Sequence, residues 1–116
     1  MLRAKILAGN LKNLTSIMST IKDEILIMVS EKHIEIRETD EKNKMLMIMK
    51  INEGIFEKYA ATKSTIGMNI KRLDKTLTAI ENNEMLDLEI DEESRIMHIR
   101  IGHMQYDLKL IDPRVL

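Results

Sequence analysis

The chain has no cysteine, so it can form no disulfide framework, thiolate nucleophile or zinc ribbon, which fits an intracellular protein. Aromatic residues are nearly absent at 3%, while methionine reaches 10 residues. The core is therefore expected to be aliphatic, with Met filling the irregular gaps between Ile and Leu. Glycine is scarce and scattered, at positions 9, 54, 67 and 102, and leaves no loop that could cradle a phosphate. Long apolar runs are missing. Ile25–Val29 and Met45–Met49 are about five residues each, against roughly 18 for a bilayer span. The opening Met1-Leu2-Arg3-Ala4-Lys5 mixes charge into a strand-like pattern and does not resemble a signal peptide. Nor is there an excess of either charge: the formal balance is −1, so any affinity for nucleic acid must come from how the charges are arranged.

What the 116 residues do contain is an internal repeat, within a length suited to one domain. Leu11, Leu14, Met18 and Ile21 are spaced 3, 4, 3, and Ile70, Leu73, Leu77 and Ile80 repeat that spacing 59 positions later. Each set is one apolar stripe on a helix, taken as residues 10–22 and 70–80. Asn10 and Asn69 precede the stripes and are expected to cap them. Glu24-Ile25-Leu26 recurs as Glu84-Met85-Leu86, and Ile34-Glu35-Ile36-Arg37 as Met97-His98-Ile99-Arg100. Met45 to Ile51 matches Met104 to Leu110, and Leu2–Leu7 and Thr65–Asn69 precede the helices. The order is β-α-β-β-β, twice. Turn residues separate the strands at Glu31-Lys32, Asp40 to Asn43, Glu92 to Ser94 and Gly102-His103. Leu86, Leu88 and Ile90 alternate with Asp87, Glu89 and Asp91, as antiparallel strands with one buried face do. The expected fold is α+β, two helices packed on one face of antiparallel sheet. The repeats span about 1–52 and 64–111, joined by a linker over 53–63.

Charge follows the repeat. The helical segments hold Lys12, Lys22, Lys71, Arg72 and Lys75 against Asp74, a net +4, which leaves −5 for the remainder. Extending them to Asp23 and Glu81 would lower that to +2. At 100° per residue, Lys12, Asn13, Ser16, Ser19 and Thr20 oppose the first stripe; Lys71, Arg72, Lys75, Thr78 and Ala79 oppose the second. Solvated helix faces often carry Lys in any case. These, however, are poor in acids and rich in short side chains, which suits close passage of a phosphate backbone. They carry no aromatics, which argues against single-strand capture.

No enzyme is evident. His33, His98 and His103 are the only imidazoles and read as surface residues; neither His98 nor His103 has a partner at metal-ligand spacing. Glu92-Glu93 reads as a hairpin turn. No catalytic residue, metal ligand or cofactor site is expected. A module that pairs through an edge strand and never meets DNA is the alternative consistent with these residues.

Several stretches carry a family resemblance: Leu2-Arg3-Ala4-Lys5-Ile6, Leu11-Lys12-Asn13-Leu14, Asp23-Glu24, Val29-Ser30, Asp40, Phe56-Glu57-Lys58-Tyr59, Ile66-Gly67-Met68-Asn69-Ile70 and Tyr106 to Pro113. In this order and spacing the chain resembles the N-terminal domain of the proliferating cell nuclear antigen family of DNA sliding clamps, archaeal and eukaryotic. The resemblance implies a ring around duplex DNA, with helices lining the hole and binding indifferent to sequence. Such a ring tethers a polymerase, nuclease or ligase and is placed by a clamp loader. It implies Lys5, Lys12, Asn13, Lys71, Arg72 and Lys75 as DNA-facing residues. It also implies the last strand, through Met104, Tyr106, Leu108, Lys109 and Leu110, as a subunit interface formed by self-association or with another clamp domain. A proline at Leu108 is then expected to abolish assembly. The compartment would be the cytoplasm for an archaeal protein and the nucleus for a eukaryotic one. Family chains join two such domains by a long loop, whereas this chain stops just after Asp112-Pro113, so a ring of single domains would need six. The region facing the family's partner-peptide groove, Thr39 to Lys44, is polar here. Ser16, Ser19 and Thr78 take helical positions where further basic residues could have strengthened DNA contact.

Overall fold

A computed structural model describes all 116 residues. In chain order the elements are β1 (Leu2–Leu7), α1 (Ala8–Ser19), β2 (Glu24–Val29), β3 (His33–Thr39), β4 (Leu46–Asn52), β5 (Lys58–Ala61), β6 (Ser64–Asn69), α2 (Ile70–Thr78), β7 (Met85–Asp91), β8 (Ile96–Ile101) and β9 (Met104–Lys109). The expected order, β-α-β-β-β twice, is present. The strands divide into two antiparallel sheets, β5-β1-β7-β8-β9 and β4-β3-β2-β6.

The division follows from an exchange. Each repeat gives its first strand to the sheet of the other: β1 pairs with β7 from Leu2↔Ile90 to Leu7↔Met85, and β6 pairs with β2 from Glu24↔Asn69 to Val29↔Ser64. The register shifts one correspondence by a residue. Ile25 opposite Met68 and Leu86 opposite Ile6 occupy matching places, and all four are buried. Leu86 is therefore the counterpart of Ile25, whereas the letter pattern aligned it with Leu26.

Alternation places Leu2, Ala4 and Ile6, Ile25, Ile27 and Val29, and Leu86, Leu88 and Ile90 on the inner faces, where both helices pack. The core is aliphatic, as composition requires, and Thr15 is its only fully buried polar side chain. A cavity of about 60 Å³ remains between helices and sheets, beside Leu14, Met18, Ile36 and Leu73. Branched side chains with few rings leave such gaps.

The segment 53–63 ties the two sheets together. Its β5 runs antiparallel to β1, Leu2↔Ala61 to Lys5↔Lys58. The Tyr59 hydroxyl donates to the Ser30 carbonyl in the β2–β3 turn at 2.7 Å, and the Tyr59 ring lies 5.0 Å from that of Phe56. Burial, and secondarily the charge of Glu53, raises the Tyr59 phenol above its ordinary 10.0. At the other end the chain crosses β6, where the Ile111 N–H donates to the Gly67 carbonyl at 2.9 Å.

A Cβ on Gly67 would lie 2.7 Å from the Ile111 carbonyl oxygen, whereas one on Gly54 would meet nothing within 4 Å. Gly67→Ala should therefore cost about 1–3 kcal/mol in urea denaturation, and Gly54→Ala almost nothing. The protonated Tyr59 is the form favoured in the folded state. Its contribution is thus complete below the ordinary phenol range and lost as pH rises through the higher folded value. Tyr59→Phe should lower stability by about 1 kcal/mol at neutral pH and remove that part of the alkaline decline in melting temperature.

Candidate nucleic-acid interface

α1 and α2 lie side by side and antiparallel, and their ends are secured by each other's connecting turns. The Ala8 and Gly9 N–H groups, which open α1, donate to the Glu84 and Asn82 carbonyls at 2.8 and 2.9 Å. In the same way Ile70 N–H, which opens α2, donates to the Asp23 carbonyl at 2.8 Å. First-turn amides have no acceptor within their own helix, so these bonds decide where each helix starts. α1 consequently begins at Ala8, and Asn10 lies inside it; Leu7 stands at the cap with no side-chain bond. Asn69 does cap α2, its Oδ1 accepting from Arg72 N–H at 2.9 Å. Midway along the seam the Thr15 hydroxyl donates to Asp74 Oδ1 at 2.9 Å, joining two positions equivalent in the repeat.

The exposed surface of the pair then follows. Lys71, Arg72, Lys75 and Thr78 of α2 and Asn13, Ser16 and Ile17 of α1 face solvent, with Ala79 and Thr20 just beyond the two helix ends. Lys71, Arg72 and Lys75 form no ion pair within 4.0 Å, while Asp74, the one acid of either helix, is held in the seam by Thr15. The hydroxyls of Ser19, Thr20 and Thr78 donate to the carbonyls of Ser16, Ile17 and Lys75 at 2.9, 2.6 and 2.6 Å. Folded back onto the backbone, they keep the surface low and leave the cations standing above it.

Three of the expected charges lie elsewhere. Lys22 falls beyond the end of α1 and pairs with Glu38 at 3.3 Å, so the two helices carry net +3 and not +4. Lys5 is on the outer face of its sheet, opposite the helices, where its Nζ is 3.7 Å from Asp87. Around it, Arg3 and Arg100 both approach Glu89, at 3.7 and 3.4 Å, so that face is internally neutralised. Lys12 is half-buried, and its Nζ donates to the Ile80 carbonyl and, at 2.9 Å, to Asn82 Oδ1.

The last strand, β9, is a sheet edge, paired only with β8. Leu108 and Leu110 are 5% and 6% exposed and belong to the core, whereas Met104 is 59% exposed, Lys109 is exposed and Tyr106 is half-buried. The Leu110 N–H donates inward to the Arg95 carbonyl at 2.8 Å. Bonded pairs alternate along an antiparallel ladder, so the Leu108 N–H also points at β8, while those of Gln105, Asp107 and Lys109 point to the open edge. Proline at Leu108 would therefore break the domain's own sheet, and a test of the edge belongs at Asp107 or Lys109. His98 on β8 meets Asp107 on β9 at 2.7 Å. That bond, then the one from Gln105 at 2.8 Å, lowers the Asp107 carboxyl below its ordinary value. No group of three His, Cys, Asp or Glu is arranged to hold a metal ion. No helix is long and apolar enough to cross a membrane.

A second open edge is β4, the counterpart of β9 in the repeat. Met45, just before it, and Leu46 and Ile48, within it, are 59%, 54% and 54% exposed. Its sign in the sequence was the unalternating apolar run Met45–Met49, which a strand with one solvated face does not need.

Comparison with known proteins gives one consistent result. The family model of the proliferating cell nuclear antigen N-terminal domain matches residues 1–113. A DNA polymerase sliding clamp of Methanothrix thermoacetophila is 34% identical over 113 residues, and one of Haloarcula marismortui is 32% identical. Both alignments cover 97% of this chain and 46% of the relative, so the chain spans about half the length of the curated relatives it matches. The solved A. fulgidus PCNA, bound to the C-terminal region of FEN-1, superposes with a TM-score of 0.93 at 26% identity, over 100% of this chain and 47% of that one. PCNA from Thermococcus kodakaraensis shares the fold at TM-score 0.88 and 22% identity, over 97% of this chain and 48% of that one. With the repeat, the paired helices and a match along nearly its whole length, the chain belongs to the proliferating cell nuclear antigen family, as its N-terminal domain.

Proposed function

We propose that this domain forms one segment of a ring around duplex DNA and acts as a non-catalytic processivity factor. The observation that carries this reading is the exposed α1–α2 surface, where three cations within five residues form no ion pair and the one acid of either helix is bonded to Thr15 in the seam. Lys71, Arg72 and Lys75 supply charge and Asn13 a hydrogen-bonding amide. Contacts of this kind neutralise phosphates without reading bases, so the ring can move along any sequence. Lys5 is not part of that surface.

The ring closes through the open edges. β9 and β4 are equivalent in the repeat, one in each sheet, so another clamp domain, a second copy included, can extend both sheets by antiparallel pairing. On the outside such a ring carries a polymerase, nuclease or ligase, and a clamp loader places it on DNA. The relatives named above are archaeal, and the corresponding compartment is the cytoplasm.

Duplex association measured by fluorescence anisotropy should weaken with salt along a line whose slope flattens by about 0.9 for each of Lys71→Met, Arg72→Met and Lys75→Met. Slopes unaltered by all three would leave a module that pairs through its edges without meeting DNA. For assembly, Asp107→Pro should preserve the circular dichroism spectrum and lower the concentration-dependent mass in light scattering, because its N–H faces outward. Leu108→Pro should instead unfold the domain. A mass profile unchanged by Asp107→Pro removes β9 as the joining edge.

A further inference from the structure

Lys12 and Lys71 are equivalent in the repeat, yet they are used differently. Lys71 is exposed and makes no side-chain bond, whereas the half-buried Lys12 reaches across to the turn that follows α2. Its acceptors there are the Ile80 carbonyl and Asn82 Oδ1. Ile80 lies two residues past the last residue of α2, close to the negative end of the helix dipole, so an ammonium group there is favoured by the dipole as well as by its two acceptors. The same turn receives Gly9 N–H at the Asn82 carbonyl, 2.9 Å away. A Cβ on Gly9 would come within 3.2 Å of that carbonyl oxygen, so the backbone of α1 already lies close against the turn. One turn along the seam, Thr15 holds Asp74 of α2.

We infer that Lys12 is a positioning residue and not a phosphate contact: it fastens the C-terminal end of α2 to α1, and the charge offered to DNA is concentrated on α2. The inference rests on the duplex-binding reading above. On that reading α1 contributes an uncharged flank (Asn13, Ser16, Ile17) and α2 the cations, so the surface is electrostatically one-sided although the fold that builds it is nearly two-fold symmetric. Lys12 acts on DNA binding only by holding α2 in place.

The experiment compares Lys12→Met with Lys75→Met in the 116-residue chain, reading thermal unfolding and the salt dependence of association with a random-sequence duplex. Methionine keeps an unbranched apolar stem and removes the charge. Lys12→Met should lower the melting temperature by about 4 °C or more and leave the salt slope unchanged. Lys75→Met should leave the melting temperature unchanged and flatten the slope by about 0.9. Because general loss of stability could arise in other ways, Asn82→Ala is combined with Lys12→Met in a double-mutant cycle. The two losses should overlap and not add, since the amide oxygen and the ammonium share one bond. A slope flattened by Lys12→Met at unchanged stability, or losses that add in full, would overturn the assignment. If no variant alters the slope, the duplex reading fails by itself, and the melting temperatures and the cycle still decide whether Lys12 is the staple.

Discussion

The pairing of β1 with β7 and of β6 with β2 is the constraint on which the rest of this domain depends. Neither repeat can complete its sheet alone, because its first strand is hydrogen-bonded within the other. Each helix follows that exchanged strand directly, so the exchange also carries α1 and α2 together over the inner faces of both sheets. Their side-by-side arrangement is thus set by strand register. The Thr15–Asp74 bond, between equivalent positions, marks the centre of that arrangement.

Two charge patterns result, with opposite character. On the outer face, neighbouring strands put Arg3, Lys5 and Arg100 next to Asp87 and Glu89, and cross-strand neighbours of opposite sign neutralise one another. The helices themselves hold a single carboxylate, Asp74, and it turns into the seam. The α2 cations thus lack the cross-strand partners that neutralise the outer face. Surface ion pairs of the outer kind contribute little stability, so their effect is chiefly to leave that face without a strong field.

Much of this was legible in the letters. The duplicated 3-4-3 stripe located both helices, and period-two alternation located the strands, because burial on one face imposes those periods whatever the partner is. The exchange of first strands was not legible, since alternation shows that a strand has a buried face but not which strand lies beside it. The start of α1 was missed for a similar reason: its first amides are satisfied by the Asn82 and Glu84 carbonyls, more than 70 residues away. Helical angles put Lys12 opposite the apolar stripe, but an angle cannot show that a long side chain bends across to a neighbouring turn. For Lys5, period two gave the correct alternation, and only the sheet shows that the helices cover the other face. The segment 53–63, too short and polar to show a period, became an edge strand because β1 left an open side.

The strand exchange also governs how the molecule comes into being. Leu2 meets Ile90, so β1 has no place beside β7 until the chain has been synthesised as far as Ile90. Nor can β2 gain its β6 neighbour until Asn69 is in place. Pairings this distant along the chain slow the search for the native state, and edges that wait unpaired are sticky. Until β6 and β7 are made, β2 and β1 each lack the neighbour that completes their sheet, so the core of the first repeat depends on strands of the second.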